Sequence, residues 1–124
     1  MGTKRKVVAV LDDSLRVLGA MGRLLSAFGY DTELYASADE FVAAAMTTEA
    51  ICLIVDIEFG SSCGIEFAQQ MARAGVKVPV IFMTGEYNES VQRRAMQSGC
   101  VALLPKPFSA SLLIQALVTA SHRH

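Results

Sequence analysis

Five polar side chains stand where apolar runs end. Asp12 and Asp13 follow Val7–Leu11, Asp56 follows Ile51–Val55, Thr84 follows Val78–Met83, and Lys106 lies just beyond Val101–Leu104. Taken singly, each has an ordinary explanation: acids cap helices, a threonine starts a turn, a lysine is a solvated charge. Taken together they are chemically complementary, which independent turns have no reason to be. Three carboxylates gathered in one cleft repel one another and call for a cation. Hard oxygen donors with an open, hydrated geometry suit Mg²⁺ better than zinc or copper. In that setting Asp56 is equipped to attack a phosphorus atom and form an acyl phosphate. Mg²⁺, Lys106 and the Thr84 hydroxyl would then neutralise charge on the phosphoryl oxygens. A phosphate-cradling loop after the first run is excluded, because Asp12-Asp13 would repel the anion.

The elements that must position these groups alternate regularly. Val7–Leu11 and Ile51–Val55 are continuous β-rich runs, the pattern of strands buried on both faces. Asp31–Ala36 alternates in polarity like an edge strand, and Val78–Met83 and Val101–Leu104 complete five strands. Between them fall helical stretches. Ser14 caps one that carries Leu15, Leu18, Met21, Leu25 and Phe28 and stops at Gly29. Ser37 caps a short one through Phe41 to Met46. A loop rich in Gly and Ser leads to a third, through Ile65, Phe67 and Met71 to Gly75. A polar helix spans about Asn88 to Ser98, and the last starts near Ser109. Gly19 and Gly22 each cost the first helix about 1 kcal/mol against Ala, so close packing is the expected compensation. Strands alternating with helices through short connections form βαβ units, hence an α/β, doubly wound parallel sheet covered on both faces. Ligands of such sheets bind at the carboxyl ends of the strands, where the five polar residues sit.

Composition is consistent with this. The chain has 124 residues, 52% hydrophobic and 19% charged, which excludes intrinsic disorder and suits one domain, residues 1–124. Eleven basic and twelve acidic side chains give a net charge of −1, against direct nucleic-acid binding by this domain. No apolar run approaches the ~20 residues of a membrane span, so no membrane partner is expected. Lys4-Arg5-Lys6 precede too short an apolar stretch for a secretion signal, and Lys6 breaks an acylation pattern. Cys52, Cys63 and Cys100 are odd in number and show no CxxC spacing, so a reducing, cytoplasmic location is expected.

Four motifs carry a resemblance that covers essentially the whole chain. They are Val10-Leu11-Asp12-Asp13-Ser14, Ile54-Val55-Asp56 with Gly64 following, Phe82-Met83-Thr84-Gly85, and Pro105-Lys106-Pro107-Phe108. With them the chain resembles the receiver domain of a two-component response regulator. Ser37-Ala38-Asp39-Glu40-Phe41 and Ala95-Met96 before Gly99 are closest in flavour to receivers attached to LuxR-type DNA-binding domains. The resemblance implies a (βα)5 flavodoxin-like three-layer sandwich with strand order 2-1-3-4-5. It implies phosphorelay signal transduction, with Asp56 taking a phosphoryl group from a sensor histidine kinase or histidine phosphotransfer protein. It implies Mg²⁺ bound by Asp13, Asp56 and the Glu58 backbone carbonyl, with Asp12 acting through water. Lys106 would pair with Asp56 and later with the phosphoryl group, Thr84 would swing toward that group, and the Lys106-Pro107 bond would be cis. Such a domain is catalytic only in promoting its own phosphorylation and dephosphorylation.

Three positions depart from the family pattern. Leu103 stands where an aromatic residue usually changes rotamer with the threonine, so signalling through the fourth helix and fifth strand is expected to be muted or rerouted. Gly60 replaces the usual proline after the acceptor, which predicts a more mobile loop. Pro105 joins Pro107 around the lysine, tolerable on an edge strand. Glu58 and Glu86 occupy variable positions that tune phosphoryl lifetime, with a sign that the residues leave open. Arg93 and Arg94 on the fourth helix, with the apolar last helix, offer a surface for a homodimer or an effector. Two other readings use the same residues: a receiver-like interaction module that is not phosphorylated, and a haloacid-dehalogenase-like phosphatase. The latter needs a second Asp where this chain has Glu58.

Overall fold

A computed structural model describes residues 4–60 and 62–123. Five strands, β1 (Val7–Leu11), β2 (Asp31–Tyr35), β3 (Cys52–Asp56), β4 (Val80–Thr84) and β5 (Ala102–Pro105), form one parallel sheet in the order β2-β1-β3-β4-β5. The helices are α1 (Leu15–Ala27), α2 (Ala38–Ala44), α3 (Gly64–Arg73), α4 (Glu89–Gln97) and α5 (Ala110–Arg123). This is the doubly wound arrangement that the alternation of elements predicts.

The two-residue period of the central strands divides the core into two layers. Val8, Val10, Cys52, Ile54, Ile81 and Met83 face α1 and α5, packing with Leu18, Leu25, Leu113 and Leu117. Ala9, Leu11, Leu53, Val55 and Phe82 face the other way, with Phe41, Ile65, Phe67, Val91 and Ala95. Phe41 anchors that second layer, edge-on to Tyr35 at 5.3 Å and to Phe67 at 6.0 Å between ring centroids. Every residue of β3 is buried, as befits the middle strand. The outer strand β2 does not show the expected alternation: none of its residues is fully buried, and Asp31 and Leu34 are exposed. Pro105 sits on the opposite edge in register with Thr84.

Caps set the helix starts. Ser14 accepts from the Val17 amide, Ser37 and Glu40 form a reciprocal capping box, and Asn88 accepts from the Val91 amide. The carboxyl end of α1 has no basic residue of its own in its last turn. Arg5, sequence-distant, supplies one: its guanidinium donates to the carbonyls of Ser26 (2.9 Å), Gly29 (2.9 Å) and Tyr30 (3.2 Å).

Several local expectations shift. β3 and β4 each run one residue further than their apolar runs, so Asp56 and Thr84 are the last residues of strands. Backbone pairing continues past the last apolar side chain, with the Ile57 amide donating to the Met83 carbonyl at 2.8 Å. The segment read as a loop rich in Gly and Ser contains a short antiparallel hairpin, Glu58–Phe59 against Ser62–Cys63. Gly60 takes a φ of 57° there, a left-handed turn position that favours glycine, and its amide donates to Asp13. Packing accounts for Gly22, where a Cβ would lie 3.3 Å from the Leu34 side chain, but not for Gly19, whose nearest such neighbour is at 3.5 Å. Cys52, Cys63 and Cys100 are free thiols, and no helix is long and apolar enough to cross a membrane among the described residues.

Candidate functional site

The carboxyl ends of β1, β3, β4 and β5 deliver the polar residues to one rim. Asp12, fully buried just past β1, accepts from the Ser14 amide at 2.9 Å, while its own amide donates to the Tyr35 carbonyl. Asp13 is exposed, and its carboxylate accepts from the Gly60 amide at 2.7 Å, joining the β1 end to the hairpin. Asp56, 6% exposed, accepts from the Glu58 amide at 3.1 Å.

What lets Asp56 sit so close to α3 is Gly64. A Cβ on Gly64 would lie 2.6 Å from the Asp56 carbonyl oxygen and 3.0 Å from the Ile57 Cα, so no side chain fits. The Gly64 amide donates to the Ile57 carbonyl at 2.7 Å, drawing the helix against the strand end.

Carboxylate oxygens of Asp12, Asp13 and Asp56 lie within 4.8 Å of one another. Two ionised carboxylates at that separation repel by about 3.5 kcal/mol at an effective dielectric of about 20. One cation answers two of them: the Lys106 ammonium lies 3.0 Å from Asp56 and 3.2 Å from Asp12. Its backbone N–H donates a hydrogen bond to the Thr84 carbonyl at the rim, and the Lys106–Pro107 peptide is cis. Burial pushes the Asp56 carboxyl up from its ordinary value, and Lys106 offsets this only in part. Burial alone would pull the Lys106 ammonium down, but its contacts with Asp56 and Asp12 together leave it raised. The pair is therefore a carboxylate held with difficulty beside a firmly charged lysine.

Thr84 is fully buried, and both functions of its hydroxyl are in use. The oxygen accepts from the Glu86 amide at 2.9 Å, so the hydrogen is directed to the Glu58 carboxylate, 2.8 Å away. The other Glu58 oxygen accepts from the Gly85 amide at 3.2 Å.

Thus Asp12, Asp13, Asp56, Glu58, Thr84 and Lys106 are brought together. Glu86 contributes its amide while its side chain is exposed. Leu103 lies outside this cluster, half-buried in β5, in register with Phe82 and packed in the α2–α3–α4 layer. Arg93 and Arg94 are exposed on α4, and Arg94 reaches the Cys63 sulfur at 3.4 Å. Leu112 and Val118 are the exposed apolar residues of α5. The Gly85 amide was not among the sequence candidates, since reading by side chains passes over backbone donors; its place directly after Thr84 was the available signal.

Comparison with known proteins agrees with this geometry. The family model described as response regulator receiver domain matches residues 8–118. Nodulation protein W of Bradyrhizobium diazoefficiens is 29% identical over 119 residues, covering 96% of this chain and 52% of that protein. Response regulator protein TodT of Pseudomonas putida is 28% identical over 120 residues, covering 97% of this chain and 53% of TodT. The chain thus spans about half the length of the curated relatives it matches. Among solved structures, that of FixJ-N superposes with a TM-score of 0.88 at 24% identity, covering 98% of both chains, and shares the fold.

Proposed function

Because the chain belongs to the response regulator receiver domain family, we propose that residues 1–124 form one receiver domain and that Asp56 is its phosphoacceptor. The observation that carries this is the state of Asp56: buried, at the end of the middle strand, in contact with Lys106 and beside two further carboxylates. A histidine kinase or histidine phosphotransfer protein is the donor. An Asp56 oxygen forms the bond to phosphorus as the bond from phosphorus to the histidine nitrogen breaks, and the imidazole leaves with the electron pair. Lys106 moves its charge from the carboxylate to the arriving phosphoryl oxygens, and the Thr84 hydroxyl supplies a further donor.

The donor set fits Mg²⁺: three carboxylates converge, and Asp13 faces its neighbours with no cation at hydrogen-bond distance among the described residues. Asp13, Asp56 and the Glu58 carbonyl would hold it, with Asp12 acting through water. When bound, the ion supplies positive charge beside the phosphoryl oxygens. Glu58 and Glu86 tune how long the phosphoryl group lasts. The chain promotes its own phosphorylation and dephosphorylation, in a cytoplasmic setting.

The signal leaves through α4, β5 and α5, where Arg93, Arg94, Leu112 and Val118 are exposed to meet a second copy or an effector. Leu103 has no ring to exchange between rotamers, so this route is muted or altered at β5. Incubation with acetyl phosphate and Mg²⁺ tests the central reading. The expected product is one hydroxylamine-sensitive phosphoryl group per chain, absent in Asp56→Asn. A labelled Asp56→Asn variant refutes it, and turnover of small phosphoesters would favour a phosphatase instead.

A further inference from the structure

The hydroxyl of Thr84 and the amide of Gly85 are donors at the β4 rim, beside Asp56 in the sheet, and both are occupied by one carboxylate, that of Glu58. The occupation is specific. Thr84 is wholly buried, and its oxygen already accepts from Glu86, so without Glu58 its hydrogen would lose the acceptor shown here. Glu58 reaches this position because it lies two residues after Asp56 on the hairpin, and its own amide is held by the Asp56 carboxylate. One residue therefore contacts the nucleophile through its backbone and the β4 donors through its side chain. A carboxylate presents two anionic oxygens to a hydroxyl and an amide, as a phosphoryl group presents its own.

We propose that the Glu58 carboxylate is an internal stand-in for the phosphoryl oxygens, holding Thr84 and Gly85 in the unphosphorylated protein and leaving them when the phosphoryl group arrives. Glu58 is thus a positioning residue with a competing role, which rests on the reading of Asp56 as phosphoacceptor. It keeps the Thr84 hydroxyl directed into the site, and it adds negative charge where an anionic donor must approach. This gives a sign to its influence: Glu58 slows acceptance of the phosphoryl group.

The test uses acetyl phosphate with Mg²⁺ on wild type, Glu58→Ala, Glu58→Gln and Asp56→Asn. In this reaction an Asp56 oxygen bonds phosphorus, the bond from phosphorus to the acetyl oxygen breaks, and acetate leaves with the electron pair. Glu58→Ala is expected to be phosphorylated at least tenfold faster than wild type. Glu58→Gln, which keeps two hydrogen-bonding termini but no charge, is expected to fall between them. An amide NMR spectrum of the unphosphorylated proteins gives a second readout, with the Gly85 signal shifting in Glu58→Ala. Labelling of wild type with an unchanged or slower rate in Glu58→Ala overturns this inference and leaves the acceptor reading intact, as does an unmoved Gly85 signal. No labelling of wild type, or labelling that persists in Asp56→Asn, overturns the acceptor reading and this inference with it.

Discussion

Replacing Gly64 by Ala isolates the contact on which the position of Asp56 depends. The new Cβ would stand 2.6 Å from the Asp56 carbonyl oxygen, 2.9 Å from a Val55 methyl and 3.0 Å from the Ile57 Cα. Two of the three are backbone atoms inside or just past a wholly buried strand, so those two cannot swing away. The backbone of Gly64 is not left-handed, and the cost is one of space alone. Overpacking of this kind costs about 3 kcal/mol, the upper end of the usual range, because relief requires moving α3 away from β3. An unfolding entropy of about 2.1 cal/mol/K per residue, over 124 residues, makes this a fall in Tm of about 12 °C. Gly19→Ala is the control. Its Cβ would meet only the Arg23 side chain at 3.5 Å, so α1 gains about 1 kcal/mol of helix propensity and Tm rises by about 4 °C. Thermal unfolding followed by far-ultraviolet circular dichroism, without metal, reads both. The rate of phosphorylation by acetyl phosphate should fall in Gly64→Ala and stay at the wild-type value in Gly19→Ala. A Gly64→Ala protein melting within about 2 °C of wild type would refute the steric argument, since any real 2.6 Å contact must be relieved at a cost.

Arg5→Ala removes three bonds to the carbonyls that end α1 and should cost about 1 kcal/mol in urea unfolding, with phosphorylation unaffected. Mg²⁺ at ten times its Kd should stabilise the protein by about 1.4 kcal/mol. Differential scanning calorimetry should show that gain vanish in Asp13→Ala. Asp56→Asn should be more stable than wild type at neutral pH in the presence of a chelator. The folded carboxyl is raised above its ordinary value, so the folded state binds more protons than the unfolded chain between the two values, and wild-type stability falls as pH rises through that window. The advantage of Asp56→Asn should therefore shrink as pH falls through that same window, from the raised value toward the ordinary one, and be lost below it. A gap that stays constant with pH would contradict the assignment of strain to Asp56, which faces Lys106, Asp12 and Asp13.

Much of the architecture is local and so was open to sequence reading. The all-apolar run before Asp56 marks a strand with no solvent-facing side, and the caps Ser14, Ser37 and Asn88 announce their helices by side-chain chemistry at one position. Candidates for the site were equally visible, because a parallel sheet sends every strand's carboxyl end to the same rim. Strand ends were less accurate, since pairing with a neighbour carries β3 to Asp56 and β4 to Thr84 beyond the apolar pattern. The anchor of the turn at Gly60 was out of reach of sequence reading for a related reason: Asp13 is 47 residues away.

By itself the sequence determined the doubly wound class and the identity of the acidic, hydroxyl and ammonium groups at the rim. These follow from side-chain type and from periods of two and 3.6 residues, which are properties of neighbouring positions. Only the tertiary structure decided the pairings: Lys106 shared between Asp12 and Asp56, Arg5 at the far end of α1, and Glu58 on Thr84 and Gly85. Glu58 shows why. Its partners, 26 and 27 residues along the chain, are reached only because β3 and β4 lie side by side in register. A hydrogen bond needs a donor within about 3 Å, and distances of that kind exist only once the sheet has formed.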